Sequence, residues 1–254
     1  MSRVLDVLFV IPAALSQVYQ SLAKDHAIEP PAKARFVASG LLRRGYGVDL
    51  LDAPILELMP EAMAEEVRLR KPKLIIMPVY GYNPSSSTHT MPAARAFARA
   101  IKDACPTVPI MMMGTHPAAL PERTLREEPI DFVCVGEGLI TAYELLQAID
   151  AGGSDADLDK VRSLWRLKQD GSLVCGFAAP LVDLNEEPVS QEAWRLMDPR
   201  QYRAHDWHTF WRPYADRGPY ANPYSREGCP FSCDFCNIQA PFRDGESLLP
   251  QKKN

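Results

Sequence analysis

Val4–Ile11 reads VLDVLFVI, an apolar run interrupted only by Asp6. A short continuous run of branched and aromatic residues is the mark of a strand buried on both faces, the kind found in parallel sheets. Arg3 before it and Ala13–Ala14 after it sketch a signal peptide, but Asp6 breaks the apolar core that such a peptide needs, so the strand is the better reading.

Outward from that strand the pattern repeats. After Pro30 and Pro31, the residues Ala34, Val37, Ala38 and Leu41 fall on one helical face that ends near Arg43, Arg44 and Gly45. A second strand is expected over Val48–Leu51, a polar helix over Glu61–Arg70 and a third strand over Leu74–Val79. A long loop then leads to a helix carrying Ala94, Phe97, Ala98, Ile101 and Cys105, a fourth strand at Ile110–Met113, and a fifth at Phe132–Val135. The last helix of the series shows Ala142, Leu145, Leu146 and Ile149. This alternation predicts an α/β fold: a doubly wound, parallel, five-stranded sheet, flavodoxin-like or Rossmann-like, over residues 1–150. Its ligand belongs beyond the carboxyl ends of the strands.

Ala151–Asp159, AGGSDADLD, loses the apolar periodicity and marks a boundary. Ser163–Leu167 and Leu173–Phe177 flank Asp170–Gly171 and predict a hairpin, which opens a linker over 151–220 rich in Pro, Trp and Tyr. Residues 221–254 form a third segment.

The 254 residues are 46% hydrophobic and 24% charged, with a formal net charge of −4, which is the make-up of a globular protein. No basic block offers a nucleic-acid backbone the clustered cations it requires, so nucleic acid is not expected as a partner. No apolar stretch is long enough for a membrane span.

Cys105, Cys134 and Cys175 are isolated, whereas Cys229, Cys233 and Cys236 crowd into eight residues. That distribution does not suit a disulfide framework and points to a reducing compartment, the cytoplasm, and to a metal site. Three thiolates in the order Cys229-Pro-Phe-Ser-Cys233-Asp-Phe-Cys236 can hold three corners of an iron-sulfur cubane and leave one iron open. The alternative is a structural zinc site completed by His205 or His208. The isolated three are read as buried small apolar groups.

Gly228–Cys236, GCPFSCDFC, resembles the cluster loop of radical S-adenosylmethionine (SAM) enzymes. The resemblance implies that Cys229, Cys233 and Cys236 bind a [4Fe-4S] cluster, that SAM occupies the open iron, and that one electron cleaves SAM to a 5′-deoxyadenosyl radical. It also implies that Phe235 contacts the adenine; filling the first barrel strand is the other role open to it. Glu29-Pro30-Pro31, Gly114-Thr115-His116-Pro117 and Gly136-Glu137-Gly138 resemble, in their order, the cobalamin-binding domain that precedes many radical SAM barrels. The hairpin and Pro180–Tyr202 resemble the bridge between those domains. On this resemblance 1–150 binds cobalamin, 151–220 is hairpin and linker, and 221–254 begins an incomplete radical SAM domain.

Cobalamin is a flat disc fringed with amides, so its site needs closely approaching backbone and small hydrogen-bonding groups. Tyr80, Gly81, Ser85, Ser86, Ser87 and Thr88 supply these after the third strand, Gly114, Thr115 and His116 after the fourth, and Gly136, Glu137 and Gly138 after the fifth. Singly, each loop also suits ordinary turn and cap chemistry, with Thr88 or Thr90 as an N-cap. His26 lacks the Asp-x-His-x-x-Gly surroundings of a cobalt ligand, since Asp25 adjoins it and Glu29 stands at the glycine position. His205 and His208 are read as linker polar groups packed on aromatics, and His89 has no assigned role.

Only eighteen residues follow Cys236, whereas a radical SAM barrel takes on the order of 200. The chain is therefore expected to be the N-terminal part of a longer enzyme, or a truncated gene product, inefficient with SAM by itself. Radical methyl transfer to an unactivated carbon of a small-molecule substrate is the expected reaction, with flavodoxin or ferredoxin as electron donor. Radical cyclisation or rearrangement, and a non-catalytic cobalamin-binding module, are the alternatives.

Overall fold

The computed structural model describes residues 5–14, 26–81, 86–223, 227–231 and 233–242, with Trp207 described by its backbone alone. The elements are β1 (Val7–Ile11), α1 (Ala32–Arg43), β2 (Val48–Asp52), α2 (Ala53–Leu56), α3 (Pro60–Arg70), β3 (Leu74–Pro78), α4 (Ser86–Ala104) and β4 (Ile110–Met113). They continue as α5 (Thr115–Ala119), α6 (Pro121–Glu127), β5 (Phe132–Cys134), α7 (Leu139–Asp150), α8 (Asp155–Leu158), β6 (Leu164–Leu167), β7 (Leu173–Cys175) and α9 (Gln191–Arg195).

The sheet order is β2-β1-β3-β4-β5-β6-β7. The first five strands pair in parallel, as the alternation of strands and helices predicts. β1 explains why both faces must be covered. Val7 and Phe9 enter a core with Val37 and Leu41 of α1 and Leu145 and Leu146 of α7, while Leu8 and Val10 enter a second core with Val67 of α3 and Phe97 and Ile101 of α4. Alternate side chains of one apolar strand thus serve opposite layers.

The five-stranded sheet expected from the sequence is a seven-stranded one. The hairpin placed in the linker adds to its edge: β6 pairs antiparallel with β5, Phe132 opposite Arg166, and β7 pairs with β6. Pairing satisfies the row of backbone groups that β5 would otherwise leave open. Arg166, nearly buried in β6, is held by Asp155 at 2.8 Å and Asp159 at 2.5 Å. The following linker returns over α1, where Val182, Met197 and Tyr202 join the first core.

Three smaller expectations are corrected. The hydroxyl loop after β3 is already helical at Ser86, and the helix carries Ser87, Thr88 and Thr90 inside it rather than at its cap. Thr90 instead donates its hydroxyl to the Ser86 carbonyl at 2.9 Å. Gly114-Thr115-His116-Pro117 is likewise not open loop, because α5 begins at Thr115. Of the isolated cysteines Cys134 is buried, Cys105 is half-buried and Cys175 is exposed on the edge strand, so a shared buried role does not hold.

Candidate functional site: a cleft beside a cysteine loop

A strand order that runs to β2 on one side of β1 and to β3 on the other opens a crevice at the carboxyl ends of β1 and β3. The structure has a cleft there of about 190 Å³. Ile11, Asp52 and Pro78 are the last residues of their strands, and all three line it. The start of α1 supplies Pro31, Ala32 and Lys33, and α4 supplies Ser86, His89 and Thr90. Asn222 reaches the cleft from the far end of the chain, donating side-chain Nδ2–H to the Pro30 carbonyl at 3.0 Å while its backbone carbonyl accepts from Arg35 at 2.8 Å. A pocket that engulfs a drug-sized ligand measures roughly 300–1,000 Å³, so a larger ligand would seat only an edge or tail here.

Two cleft residues are charged groups with special surroundings. Asp52 is buried and accepts a hydrogen bond from the Tyr202 hydroxyl at 2.8 Å through Oδ2. Burial pushes its carboxyl up to about 7, against the opposing pull of the Tyr202 hydroxyl and the Ile55 amide. Burial likewise raises the carboxyl of Glu29, whose Oε1 lies 3.6 Å from His205 Nε2.

The predicted ligand residues separate into three groups. Tyr80, Gly81 and Ser86 line the cleft. Ser87, Thr88, Gly114, Thr115 and His116 form an adjoining hydrogen-bonded strip. There the Ser87 hydroxyl donates to the Val79 carbonyl and accepts the His116 amide at 3.0 Å, and Thr88 Oγ1 meets His116 Nδ1 at 3.0 Å. Gly114 has φ +151°, and a Cβ there would stand 2.1 Å from the Val79 carbonyl oxygen. Its lack of a side chain serves contact between two strand ends of the protein itself.

Gly136, Glu137 and Gly138 form the third group, against the returning linker. Glu137 Oε2 accepts the Val182 amide at 2.6 Å, and a small cleft of about 10 Å³ is lined there together with Ala179, Leu181 and Pro241. Ser85 lies outside the described residues.

The cysteine loop is anchored beside the cleft. Glu227 pairs with Lys33 of the cleft wall, and the Lys33 ammonium lies 5.2 Å from the Phe242 ring centroid. Gln239 Nε2 donates to the carbonyls of Cys229 and Phe231, and the Cys236 amide donates to the Cys233 carbonyl at 3.0 Å. These bonds tie both ends of the loop; Cys233 is exposed, Cys229 and Cys236 are half-buried, and none is in a disulfide. Phe235 is 88% exposed.

Among the described residues no three His, Cys, Asp or Glu side chains stand in ligating geometry. Three free thiols on one short loop are nonetheless the donor set that a cubane cluster with one open iron requires. His205 and His208, which a zinc site would recruit, are packed elsewhere. The His205 ring is 5.2 Å from His26 and 5.9 Å from His208, and His208 is 6.3 Å from Tyr220.

Sequence reasoning missed Asp52, Lys33, Asn222 and His89 as cleft residues and reached Glu29 only through the Glu29-Pro30-Pro31 resemblance. Asp52 carried a readable signal, an acid at the terminus of the strand Val48–Asp52. Asn222 carried none, because only the folded chain brings it to Pro30.

Residues 22–146 match the B12 binding domain family. The chain is 28% identical over 209 residues to an anaerobic magnesium-protoporphyrin IX monomethyl ester cyclase of Synechocystis sp. (strain ATCC 27184 / PCC 6803 / Kazusa), covering 82% of this chain and 38% of the cyclase. An uncharacterised methyltransferase of Pyrococcus horikoshii is 25% identical over 241 residues, covering 94% of this chain and 47% of the relative. The chain thus spans less than half the length of these curated relatives.

Among solved structures, the radical S-adenosylmethionine methyltransferase TsrM of Kitasatospora setae, with cobalamin and a [4Fe-4S] cluster bound, superposes with a TM-score of 0.63 at 18% identity. That match covers 97% of this chain and 43% of TsrM. The cobalamin-dependent radical enzyme OxsB gives 0.56 at 15% identity, over 76% of this chain and 25% of OxsB. At these identities the likeness is one of fold.

Proposed function

We propose, from the match of residues 22–146 to the B12 binding domain family, that the chain is the N-terminal part of a cobalamin-dependent radical SAM enzyme. In this reading residues 1–150 bind cobalamin, 151–220 are hairpin and linker, and 221–254 begin the radical SAM domain. The observation that carries it is the Lys33–Glu227 pair, which ties the wall of the strand-end cleft directly to the segment that bears the three cysteines.

Cobalamin would rest over the carboxyl ends of β1, β3 and β4, with Tyr80, Gly81 and Ser86 in the cleft and the Ser87–His116 strip beside it. Cys229, Cys233 and Cys236 would ligate the cluster, and Phe235 would offer its exposed ring to the adenine of SAM. When bound, the two groups supply a methyl carrier and a one-electron reductant for SAM. The chain's own residues hold the two sites side by side, which is orientation rather than acid–base chemistry. We assign radical methyl transfer to a small-molecule substrate, with flavodoxin or ferredoxin as the electron source. Radical cyclisation is the second reading, favoured by the cyclase relatives.

The test is anaerobic reconstitution with iron, sulfide and hydroxocobalamin, followed by gel filtration, metal analysis and visible and electron paramagnetic resonance spectra. Retained corrin bands with a [4Fe-4S] signal are expected. Zinc in place of iron, with no corrin retained, overturns the reading.

A further inference from the structure

The cysteine loop and the residues that follow it differ in burial. Pro230, Phe231, Cys233, Asp234 and Phe235 are exposed, whereas Gln239, Ala240 and Phe242 are buried. Ala240 packs with Ala118 of α5, Leu125 of α6 and Val133 of β5. The Ala240 amide donates to the Asn237 carbonyl and the Phe242 amide to the Gln239 carbonyl, each at 3.0 Å, so the segment is folded on itself as well as seated on the sheet. An exposed loop beside such a base has little packing of its own, and its shape is set by what it bonds to.

Gln239 supplies that bond. Its Nε2 donates to the carbonyls of Cys229 and Phe231, ten and eight residues back in the chain. A primary amide suits the task, because its nitrogen carries two hydrogens, one for each carbonyl. We propose that Gln239 is the positioning residue of the cysteine loop, holding the Cys229 thiol in place for the cluster by fixing the carbonyls on both sides of Pro230. This rests on the reading of the three cysteines as cluster ligands and goes beyond it by naming the residue that shapes the ligand set.

The local backbone makes Cys229 the thiol that this bond controls. A proline holds its own φ near about −65° and biases the residue before it to extended backbone, so Pro230 narrows the choices of Cys229. With the Cys229 carbonyl held by Gln239, the planar peptide between Cys229 and Pro230 is fixed in direction too. On the other side Gly228, at φ +76°, lies against the Phe242 ring, 3.5 Å from where a Cβ would stand. Both neighbours of Cys229 are thus placed by the buried segment 239–242. Cys233 and Cys236 are joined separately, by the 3.0 Å bond from the Cys236 amide to the Cys233 carbonyl. Gln239 therefore sets where the first thiol stands relative to the turn that carries the other two. Ligands already gathered lose less freedom on binding than ligands the metal itself must gather.

The experiment compares wild type, Gln239→Glu and Gln239→Met in the full chain at pH 8. Glutamate keeps the shape of glutamine but turns oxygens toward the two carbonyls, and methionine keeps the length with no donor at all. The variants share only the lost hydrogen bonds, so a common effect identifies those bonds. Circular dichroism confirms folding, and Gln239→Met carries the decision if Gln239→Glu does not fold. In the metal-free protein, alkylation of Cys229 by iodoacetamide is followed by mass spectrometry against Cys175, an exposed thiol on the edge strand. Both variants should label Cys229 at least fivefold faster, with Cys175 unchanged. After anaerobic reconstitution a chelator should strip iron from both at least fivefold faster, and the electron paramagnetic resonance of the reduced cluster should shift or broaden. A smaller change in either rate, an effect confined to one of two folded variants, or an unchanged spectrum overturns the role of Gln239 while leaving the cluster assignment in place. Failure of wild type to take up iron removes the cluster assignment, and the inference with it.

Discussion

Lys33, in the first turn of α1, forms an ion pair with Glu227, two residues before the first of the three clustered cysteines; the side chains are 22% and 9% exposed. Nearly two hundred residues separate them in the chain, and the pair joins the cleft to the cysteine loop. Lys33→Met should therefore loosen the loop more than it disturbs the sheet. Leaving Glu227 half-desolvated and unpaired is expected to cost roughly 1–3 kcal/mol, between the values for exposed and buried pairs. Cys229 should be alkylated faster in the variant, with urea unfolding shifted by that amount. Unchanged thiol reactivity would show that the pair does not hold the loop.

The Asp52 carboxyl carries a pH signature. Unfolded, it titrates near 3.8; folded, near 7. Between those values the folded state keeps a proton that the unfolded state has released, so this residue's contribution is fully present below about pH 4 and is lost as pH rises through 7. The loss is up to roughly 4 kcal/mol. Burial and the neighbouring histidine charges hold His205 down at about 4, which favours folding in the opposite direction over part of this range. The measurement is accordingly a difference: the stability of Asp52→Asn minus wild type, by urea unfolding at pH 5 and pH 8. The difference should grow in favour of the variant at pH 8. A difference independent of pH would mean that Asp52 is ionised throughout.

The six cysteines should part by role. Ala at Cys229, Cys233 or Cys236 is expected to remove most iron and the brown absorption after anaerobic reconstitution. Cys134→Ala should leave iron intact and cost about 1–3 kcal/mol through lost packing in the first core. Cys175→Ser, at an exposed edge position, should be within about 0.5 kcal/mol of wild type. Iron and sulfide analysis across the series decides it. A normal cluster in Cys233→Ala would overturn the assignment.

His26 is turned toward His205, the ring centroids 5.2 Å apart. His26→Ala is expected to leave both the affinity for hydroxocobalamin and its visible spectrum unchanged, because the residue is not a cobalt ligand in this reading. A changed cobalt ligand field on substitution would reverse that.

Gly114 tests the packing of the strand ends. With φ at +151° and the Val79 carbonyl 2.1 Å from an added Cβ, Gly114→Ala must displace backbone. A loss of about 2 kcal/mol or more is expected by urea unfolding. A neutral outcome would show that the β3 and β4 ends yield easily.

The apolar runs at Val7–Ile11, Leu74–Pro78 and Ile110–Met113 made the parallel strands legible, because a strand covered on both faces has to be apolar along its whole length. The clustering of Cys229, Cys233 and Cys236 was legible for a local reason: three thiols within eight residues share one loop whatever the rest of the chain does. What the chain could not announce is pairing at a distance. Nothing in Leu164–Leu167 states that it will close the edge of β5, since hydrogen bonding of strand to strand uses backbone groups that every residue carries. The Tyr202–Asp52 bond and the Lys33–Glu227 pair depend likewise on the linker folding back over α1, which burial of Val182, Met197 and Tyr202 drives. Sequence alone determined the parallel strands, the longer helices between them and the grouping of three cysteines on one short loop. Only the tertiary structure decided which loops line the cleft and which face the protein's own chain, because that choice is set by what packs against them and not by the loops' own composition.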